Sequence, residues 1–342
     1  MKLKAAVLGA SGYSGAELLR LLSTHPKVTV TCPVAHSYAG KEIVELYPQL
    51  RSYAGVHFTD LSAQAELSEC VVIFSALPHM EGAALLPTLK NRLIIDLSGD
   101  FRLLEAELYQ RWYQKAHPAP HELGRWVYGL CELKREQIRE AARIANPGCY
   151  ATAVILAAAP LIKQKLVRGP LAVVAASGVS GAGRSPSATA QFSQASEDLR
   201  AYKVCEHQHT PEIEQALGEI GCAKITVSLT TELAPFSRGI LAVVSAELCE
   251  GVDQESVDSA FTALYGAEPF VQVSGKQPGV KDVRGSNWSI LCPRVDQRCG
   301  RVVVTSVLDN LVKGAAGQAV QNMNLALGFE ENLGLEALPL YP

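Results

Sequence analysis

Short, mostly apolar runs recur along the first 100 residues, separated by stretches of helical or turn-forming composition. The runs at 5–8 and 71–75 contain no charged residue, and the run at 93–96 contains one, the terminal Asp96. Such runs are typical of parallel strands that are buried on both faces of a sheet. Together with a β-branched strand at 28–32 and an amphipathic helix at 16–22, they predict an α/β domain with a parallel sheet.

The second half of the chain has a different pattern. Helices are predicted over 151–166 and 252–264, and strands at 171–176, 224–229, 239–246 and 301–308. Because most of these strands follow one another without a helix between them, they predict a mostly antiparallel or mixed sheet in an α+β domain.

Two further segments complete the organisation. Residues 105–142 are polar and are expected to run irregularly over the surface. Small residues dominate 309–323, which predicts a closely packed helix that returns to the first domain, with its N-terminus near a cofactor. We therefore expect a first domain of residues 1–147 completed by 310–342, and a second domain of residues 148–309.

Composition and charge narrow the class of protein. The chain has 342 residues, 48% of them hydrophobic, which favours two domains. A net charge of −3 gives no basic footprint for nucleic acid, and no apolar run is long enough to cross a membrane. The nine cysteines are scattered without a C-x-x-C pair, and no signal peptide is evident. We therefore expect reduced thiols in a cytoplasmic protein, without disulfides or a metal site.

A glycine loop links the first strand to the first helix. Its sequence, Gly9-Ala10-Ser11-Gly12-Tyr13-Ser14-Gly15, has the spacing G-x-x-G-x-x-G. Between a strand and an amphipathic helix, such a loop brings the pyrophosphate of a dinucleotide to a helix N-terminus. The predicted cofactor contacts here are Gly9, Ser11, Gly12, Tyr13, Ser14 and Gly15. The alternative is a tight turn without a ligand.

The loop after the second strand bears on the choice between NAD and NADP. An NAD site usually places an acid there for the ribose hydroxyls, but no acid occurs between Cys32 and Glu42. His36, Ser37 and Lys41 offer basic and hydroxyl groups instead, so NADP is predicted. The alternative is a plain polar loop.

The segment after the third strand is expected to lie beside the nicotinamide, because ligands of open sheets bind at the carboxyl ends of the strands. The predicted contacts are Ser75, Leu77 and Pro78. His79, which follows them, is expected to be a loop or capping residue.

The stretch Asn146 to Tyr150, N-P-G-C-Y, is the strongest chemical signal. Pro147 and Gly148 predict a sharp turn before the helix at 151–166. Cys149 therefore lies at or near a helix N-terminus, where backbone amides and the helix dipole favour an anion. A thiolate there is a nucleophile, and the neighbouring amides can hold an oxyanion. The alternative is a buried structural cysteine.

Three arginines in loops are candidate anion binders, since a guanidinium suits phosphate and carboxylate. Arg102 follows a predicted parallel strand; the alternative for it is a surface ion pair with Asp100 or Glu105. Arg184 ends a glycine- and serine-rich loop that a ligand could approach closely, and the alternative is a flexible loop. Arg238 lies in a third loop.

Two histidines are candidates for proton transfer. His207 and His209 are two residues apart, so in an extended segment they face the same side. Pro211 is expected to open the helix that follows. A histidine that faces Cys149 could act as general acid and base. A metal site is disfavoured, because no third ligand lies at a typical spacing.

Several of these motifs occur together and in order: Gly9–Gly15, Asp96–Arg102, Asn146–Tyr150, Ser177–Arg184, His207–Glu212 and Asn310–Gln321. In this combination the chain resembles the N-acetyl-gamma-glutamyl-phosphate reductases of arginine biosynthesis, relatives of aspartate-semialdehyde dehydrogenase. The resemblance covers nearly the whole chain. It implies a Rossmann domain, a catalytic domain of the glyceraldehyde-3-phosphate dehydrogenase type, NADP and a homo-oligomer, either dimer or tetramer. One departure is His36, where members of the family often carry arginine.

The resemblance also implies a mechanism. Cys149 attacks an acyl phosphate, Arg102 holds the leaving phosphate, and NADPH reduces the thioester to an aldehyde. His207 or His209 transfers the proton. Glu212 orients that histidine or binds the substrate amide, and the side chain of Asn146 helps to hold the oxyanion. Other expected substrate contacts are Ser180, Arg184 and Arg238. Further expected cofactor contacts are Ser177, Gly178, Gly181, Asn310, Lys313 and Gly314.

Other functions remain as alternatives. The same chemistry on aspartyl phosphate or on a carrier-bound aminoadipyl phosphate would use the same cysteine, because the motif acts on the shared acyl phosphate. We favour the acetylated glutamyl substrate on the N-P-G-C-Y motif. A non-enzymatic redox sensor that binds NADP would not require Cys149.

Overall fold

The computed structural model describes residues 2–90, 92–186 and 191–341, and the chain divides into two compact units. The first combines Met1–Gly148 with Ala315–Ala337, and the second combines Cys149–Gly314 with Leu338–Pro342. The C-terminal segment therefore contributes to both units. Among the described residues, no helix is both long and apolar enough to cross a membrane.

The first unit is built on a parallel sheet. Its described strands are β1 (Leu3–Leu8), β2 (Val28–Val34), β3 (Val72–Ser75), β4 (Leu93–Asp96), β5 (Val127–Tyr128) and β6 (Arg143–Ala145). Their order is β2-β1-β3-β4-β6-β5, and every pairing is parallel. The polypeptide reverses its direction of winding between β2-β1 and β3, which is where open α/β sheets bind nucleotides.

Helices cover both faces of this sheet. They are α1 (Tyr13–Ser23), α2 (Ile43–Leu46), α3 (Gln64–Glu69), α4 (Glu81–Leu85), α5 (Ala106–Tyr113), α6 (Cys131–Arg139) and, from the C-terminal segment, α11 (Gly317–Ala326). Ala6 and Leu8 of β1 pack in the core formed with α3 and α4. Ala5 and Val7 point to the opposite face and are equally buried. Burial on both faces explains the unbroken apolar runs.

The prediction that residues 105–142 are irregular is wrong. This segment contains α5, β5 and α6, and it supplies part of the core. The ring of Trp126 stacks on Phe101 at a centroid distance of 4.0 Å, and Tyr109 is fully buried. The sequence misled because α5 and α6 bury only a few side chains each, so their composition is polar overall.

The second unit is built on a mixed sheet, as predicted. Its described strands are β7 (Val167–Gly178), β8 (Arg200–Tyr202), β9 (Val227–Ala234), β10 (Ile240–Leu248), β11 (Val271–Val273), β12 (Ser289–Asp296) and β13 (Arg301–Leu308). Their order is β11-β12-β13-β10-β7-β9-β8. The β7–β9 and β11–β12 pairs are parallel, and the other pairs are antiparallel.

One face of this mixed sheet carries the helices α7 (Cys149–Lys163), α9 (His209–Gly221) and α10 (Gln254–Tyr265). The second unit also contains the short helix α8 (Phe192–Ala195). Helix α7 packs against β10 and β13, and α9 and α10 pack against α7. The strands alternate, so that Val173 and Ala175 are buried whereas Val174 remains 46% exposed. This confirms the predicted α+β class for the second half.

Strand β12 escaped prediction because it contains Pro293, which cannot donate a backbone hydrogen bond. The register explains why the strand tolerates it. β11 pairs only with residues 289–291, so Pro293 lies beyond that edge. There the side chain of Gln254 takes over and accepts a hydrogen bond from the backbone N–H of Val295 at 2.8 Å.

Candidate active site

The glycine loop of the first unit is closely packed against its neighbours. Gly9 has a φ of +78°, and a Cβ there would meet the carbonyl oxygen of Ala76; a Cβ at Gly15 would meet that of Gly9. Both positions therefore exclude a side chain. Helix α1 begins at Tyr13, and its N-cap, Gly12, places no side chain over the first turn. The amides of that turn have no partner within the helix, which fits the pyrophosphate of a dinucleotide.

The other predicted members of this loop are accessible. Ser11 and Ser14 are half-buried, and Tyr13 is exposed. The hydroxyl of Tyr47 donates to the carbonyl oxygen of Ser11 at 2.6 Å. This tyrosine, which the sequence did not single out, therefore supports the loop from the segment that follows β2.

The loop after β2 forms a single 3-10 turn in which His36 and Ser37 are exposed. Asp60, from a later segment of the chain, lies near the end of β2. The residue before it, Thr59, forms a parallel bridge with Val34, the last residue of β2. Hydrogen bonds from Ser62, with a smaller effect of His36, lower the pKa of Asp60. Sequence reasoning missed this acid, because pairing between separate segments brings it there.

The segment after β3 lies directly beside the glycine loop. A Cβ on Gly9 would lie 3.2 Å from the backbone nitrogen of Leu77, and Pro78 follows on the surface. Ser75, the last residue of β3, is fully buried, and its Oγ has no hydrogen-bond partner among the described residues. The structure thus brings two predicted cofactor segments together, with an unsatisfied polar atom next to them.

Arg102 is buried, with 6% of its surface exposed. Its Nε donates to the carbonyl oxygen of Asn146 at 2.8 Å, and its Nη2 donates to that of Leu97 at 2.8 Å. These contacts hold the guanidinium at the carboxyl end of the sheet, beyond β4 and β6. The surface ion pair considered as an alternative does not describe this buried position.

Asn146 is held on both sides of its side chain. Its Oδ1 accepts from Nδ2 of Asn322 at 3.0 Å, and its Nδ2 donates to the carbonyl oxygen of Ala315 at 3.1 Å. Its backbone N–H donates to the carbonyl oxygen of Asp96 at 2.8 Å. Sequence reasoning did not anticipate Asn322, a buried amide of α11, as a partner of the N-P-G-C-Y turn.

Asp96 closes β4 and is completely buried. Burial, aided by the nearby charge of Asp100, raises its pKa to about 6, although hydrogen bonds from Ser98 and the charge of Arg102 act in the opposite direction. The hydroxyl of Ser98 donates to Asp96 Oδ2 at 2.5 Å. The carboxyl ends of β4 and β6 therefore carry a dense set of charged and hydrogen-bonded groups.

Cys149 is the first residue of the 15-residue helix α7, as predicted. Its side chain is half-buried, and the first turn of a helix carries the partial positive charge of the helix dipole. A Cβ placed on Gly314 would lie 2.8 Å from the Cβ of Cys149. Gly314, which we expected to contact the cofactor, therefore provides space for the cysteine within the second unit.

The two histidines pack together in the second unit. The ring centroids of His207 and His209 are 4.6 Å apart, and they lie 5.2 and 6.0 Å from that of Tyr150. Tyr150 follows Cys149 directly, so both imidazoles pack on the residue next to the cysteine. Glu212, in the first turn of α9, is also buried.

The expectation of an extended segment at the histidines is wrong. His209 is the first residue of α9, and its backbone N–H donates to Nδ1 of His207 at 3.1 Å. A turn closed by this hydrogen bond brings the two rings together. It also assigns the tautomer of neutral His207, because Nδ1 accepts and the proton must reside on Nε2.

Tyr150 and Tyr202 form a hydrogen-bonded chain beside the histidines. Tyr202 donates to the hydroxyl of Tyr150 at 3.1 Å, and Tyr150 donates to the carbonyl oxygen of Glu232 at 3.0 Å. Burial raises the pKa of Tyr202 to about 12 and raises that of Tyr150 further. Both are therefore neutral near pH 7 and act as donors. No local signal identifies Tyr202, because β8 is short and irregular in pattern.

The loop after β7 is tied to the end of β13. Nδ2 of Asn310 donates to Oγ of Ser180 at 3.0 Å, and Oδ1 of Asn310 accepts from the N–H of Gly239 at 2.7 Å. Arg238 pairs with the buried carboxylate of Asp309, with Nε 3.2 Å from Oδ2. Three predicted site residues therefore hold neighbouring loops together.

The remaining predicted residues of this loop region differ in environment. Ser177 donates to the carbonyl oxygen of Gly178 at 3.1 Å, and a Cβ on Gly181 would lie 2.8 Å from Oγ of Ser177. Arg184 is half-buried. Lys313 is fully buried, with its ammonium 5.9 Å from the ring centre of Phe270, which is a position in the interior of the second unit.

The fold and these residues define the class of protein. The chain matches the family model "Semialdehyde dehydrogenase, NAD binding domain" over residues 4–141 and the model "Semialdehyde dehydrogenase, dimerisation domain" over residues 149–310. The structure is similar to aspartate semialdehyde dehydrogenase II from Vibrio cholerae, with a TM-score of 0.72 at 19% identity over 96% of this chain and 99% of that one. It is also similar to the Candida albicans enzyme solved with NADP, with a TM-score of 0.63 at 16% identity over 97% of this chain and 100% of that one.

Sequence relatives identify the family more narrowly. The chain is 44% identical to the N-acetyl-gamma-glutamyl-phosphate reductase of Pelotomaculum thermopropionicum over the full length of both. It is also 44% identical to that of Geobacter sulfurreducens, over 99% of this chain and 100% of the relative. The chain therefore belongs to the N-acetyl-gamma-glutamyl-phosphate reductase family.

Proposed function

We propose that this protein reduces N-acetyl-gamma-glutamyl phosphate to N-acetylglutamate 5-semialdehyde and phosphate with NADPH, in arginine biosynthesis. The observation that carries the proposal is Cys149, the first residue of α7, beside a Tyr150 ring on which His207 and His209 pack. The full-length relatives with this name support the choice of substrate.

The first chemical step is acyl transfer to the thiolate. Sγ of Cys149 forms a bond to the acyl carbon, and the carbon–oxygen bond to the phosphoryl group breaks, so phosphate leaves and a thioester remains. Arg102 stabilises the departing dianion, because a guanidinium offers a planar pair of donors to phosphate. Its two carbonyl contacts, at Asn146 and Leu97, pre-orient the guanidinium for this role. Ser180 and Arg184 remain candidate substrate contacts.

The second step reduces the thioester. NADPH, when bound, would supply the hydride that the carbonyl carbon accepts. The first-turn amides of α7 stabilise the resulting hemithioacetal oxyanion on Cys149. Collapse of this intermediate expels the Cys149 thiolate and releases the aldehyde. Asn146 is engaged by Asn322 and Ala315, so we assign it the role of holding the turn before Cys149.

Protonation involves one of the two histidines. His207 in its neutral form carries the proton on Nε2, because Nδ1 accepts from His209. In this tautomer Nε2 of His207 can donate a hydrogen bond, but Nδ1, the nitrogen with the lone pair, is already engaged by His209. The choice between His207 and His209 as the acid and base therefore stays open, with Glu212 orienting the catalytic ring. Replacement of the acid and base by asparagine should lower kcat more than replacement of the other histidine, and kcat profiles against pH for His207→Asn and His209→Asn measure this.

The cofactor site is assigned to the first unit. The amides at the start of α1 suit the pyrophosphate, and His36 and Ser37 suit the 2′-phosphate of NADP. The backbone of Leu77 lies beside the glycine loop, which supports contact of Leu77 and of the following Pro78 with the nicotinamide half. From the second unit, the candidate cofactor contacts remain Ser177, Gly178, Gly181, Asn310, Lys313 and Gly314, of which Lys313 is fully buried.

The substrate assay decides between this function and its alternatives. Phosphate-dependent reduction of NADP should occur with N-acetylglutamate semialdehyde and be weak or absent with aspartate semialdehyde. Preference for aspartate semialdehyde, or for a carrier-bound aminoadipate semialdehyde, would assign one of the related substrates. A protein that binds NADP but turns over none of these aldehydes would instead fit a redox sensor.

We further propose a homo-oligomer, at least a dimer, formed through the open face of the mixed sheet. Val174 is 46% exposed on β7, and Leu241 and Val243 of β10 are only half-buried, which leaves an apolar face of the kind that mediates association. The dimerisation model that matches residues 149–310 supports this. Val174→Asp should shift the mass measured by light scattering towards the monomer. The exposed free thiols of Cys205, Cys222 and Cys299 suit a reducing cytoplasm.

A further inference from the structure

The loop after β3 contains a strained residue. Met80, the N-cap of α4, has a φ of +74°, a conformation that residues other than glycine rarely adopt and that costs free energy. The same loop begins at Ala76 and Leu77, which touch the glycine loop at Gly9. The strained residue Met80 is therefore only a few residues along the chain from the segment that touches the glycine loop.

A buried carboxylate holds this backbone in place. Asp100, which is fully buried, accepts the N–H of Met80 at 2.7 Å through Oδ2 and the hydroxyl of Tyr109 at 2.8 Å through Oδ1. A charged acceptor makes a stronger hydrogen bond to a backbone amide than a neutral one does. Asp100 thus offsets part of the cost of the left-handed conformation at Met80.

A second tie joins the same two loops. The N–H of Gly99 donates to Nδ1 of His79 at 2.9 Å. A Cβ on Gly99 would lie 2.8 Å from Cε1 of His79 and would also meet the hydroxyl of Tyr113. The loop after β3 and the loop after β4 therefore pack without space for another carbon atom.

Asp100 is itself rigidly placed. Its N–H donates to Oγ of Ser98 at 3.2 Å, and its carbonyl oxygen accepts from Nε2 of His117 at 2.8 Å. Nδ1 of His117 accepts the N–H of Ala119 at 3.0 Å, which requires the proton of the neutral ring to reside on Nε2. Hydrogen bonds thus hold both the backbone of Asp100 and the two oxygens of its carboxylate.

We propose that Asp100 is a positioning residue for NADPH: its carboxylate locks Met80 in the left-handed conformation and so holds Leu77 and Pro78 in the conformation that binds the nicotinamide half. This inference rests on the proposed use of NADPH and adds the residue that prepares the site. Without the anchor, Met80 relaxes to negative φ, and only a fraction of molecules has a binding-competent loop. The apparent Kd rises by the reciprocal of that fraction.

The main experiment measures NADPH binding by fluorescence titration, without substrate. Asp100→Ala should raise the Kd about tenfold, which corresponds to a competent fraction of about one tenth. Asp100→Ala with Met80→Gly should recover most of this loss, because glycine adopts positive φ without strain. Asp100→Asn should bind nearly as well as the unmodified chain, because its oxygen can accept from Met80 while its amide donates to Tyr109.

A second pair of variants leaves the buried carboxylate intact, so it remains informative if Asp100→Ala does not fold. Met80→Val keeps the N–H but is β-branched and strongly disfavoured at positive φ, so its Kd should rise about tenfold. Met80→Gly should keep the Kd of the unmodified chain. Tyr109→Phe is the control for lost stability: it removes the other hydrogen bond to Asp100 and should lower Tm without weakening NADPH binding.

The possible outcomes separate this inference from the proposed function. If the unmodified chain binds no NADPH, the proposed function fails. If it binds NADPH and folded Asp100→Ala or Met80→Val binds equally well, the inference is overturned and the function stands. A loss in Asp100→Ala that Met80→Gly does not recover, or an equal loss in Tyr109→Phe, would also overturn it, because the effect would then be general destabilisation.

Discussion

Each unit contains a helix whose N-terminus belongs to the candidate site: α1 in the first unit and α7 in the second. The two N-termini have different roles. Helix α1 opens with glycines that leave its first-turn amides uncovered, with Gly9 and Gly15 packed where no side chain fits. Helix α7 opens with Cys149, whose neighbour Tyr150 packs against two histidines. The same partial positive charge acts on an external anion in the first case and on the helix's own side chain in the second.

This difference separates binding from chemistry. At α1 the residues matter for the space they leave, so substitutions there should weaken cofactor binding. At α7 the residue matters for the sulfur atom it carries, so a substitution should remove turnover and spare cofactor binding. The following changes test this division, in order of decreasing expected effect.

Cys149→Ser should reduce phosphate-dependent NADP reduction by roughly 10⁴-fold or more, a typical consequence of losing a nucleophile. A serine hydroxyl has no comparable anionic form near neutral pH. NADPH binding, measured by fluorescence, should be retained. Cys222→Ser, at an exposed thiol, is the control and should remain fully active. Turnover near the unmodified rate in Cys149→Ser would refute the nucleophile assignment.

Gly9→Ala should weaken NADPH binding by about a hundredfold, which corresponds to about 2.7 kcal/mol. The added methyl group would collide with the carbonyl of Ala76 and displace the loop. Gly55→Ala is a matched control, because Gly55 has the same φ of +78° but open space around its Cβ position. If both variants bind NADPH equally well in fluorescence titrations, close packing of the loop is not the reason for the glycine.

Arg102→Ala should raise the KM for inorganic phosphate about 30-fold in the reverse assay, at about 1.4 kcal/mol per tenfold. Arg102→Lys should recover only part of this, because lysine keeps the charge and loses the planar fork. Arg92→Ala is the control: Arg92 also donates to backbone carbonyl oxygens, those of Cys70, Lys90 and Ser68, yet should leave this KM unchanged. A phosphate KM that stays level while Tm falls would make Arg102 a purely structural residue.

His36→Asp should shift the ratio of kcat/KM for NADP and NAD towards NAD by about tenfold, since close like charges commonly cost about 1.4 kcal/mol or more. The new carboxylate would repel the 2′-phosphate and could accept from a ribose hydroxyl. Steady-state kinetics with both cofactors provide the measurement. An unchanged ratio would place the adenosine ribose away from this loop.

The smallest effect concerns the stability of the first unit. Burial lowers the pKa of His25 below its usual 6.5; its Nδ1 accepts the N–H of Val28 at 3.1 Å, and its Nε2 contacts Asn324 at 3.1 Å. The unfolded chain therefore binds a proton at higher pH than the folded one. The contribution of neutral His25 to the free energy of unfolding is fully present above about pH 6.5. It decreases as the pH falls, by at most about 1.4 kcal/mol per pH unit for one proton.

Urea unfolding between pH 7.5 and pH 5 measures this slope. His25→Gln, which does not titrate, should be less stable at pH 7.5 but should show a shallower decrease. The charges of Lys2 and Glu336 act on the same ring in opposite directions, so a Lys2→Gln variant provides a check on their influence. Equal slopes in His25→Gln and the unmodified chain would assign the acid sensitivity to other groups, such as His117.

Much of the fold was predictable because its signals are local. The apolar run of β1, the glycines that follow it and the periodicity of α1 lie within about 20 consecutive residues. The prediction failed over 105–142 and at β12. In both regions the secondary structure depends on which few side chains are buried by the rest of the protein, and the local composition does not reveal which ones these are.

The candidate site divides in the same way. Cys149 was identifiable because the turn signal of Pro147 and Gly148 and the apolar helix after it are adjacent in sequence. His207 and His209 were identified as residue types, but their edge-to-face arrangement was not, because the turn that brings them together is closed by a hydrogen bond from a backbone N–H to a ring nitrogen. Tyr202 went unnoticed because its role depends entirely on its contact with Tyr150.

The sequence by itself determined that one helix follows the glycine loop and that another begins at or near Cys149, because turns and helices depend on backbone preferences and on periodicity over neighbouring residues. Only the tertiary structure decided that Asp60 reaches the edge of β2, that Asn322 holds Asn146 and that Asp100 holds Met80. Each of these joins residues that are distant along the chain. Their hydrogen bonds form because strand register and burial remove the competing water, and no local pattern encodes that choice of partner.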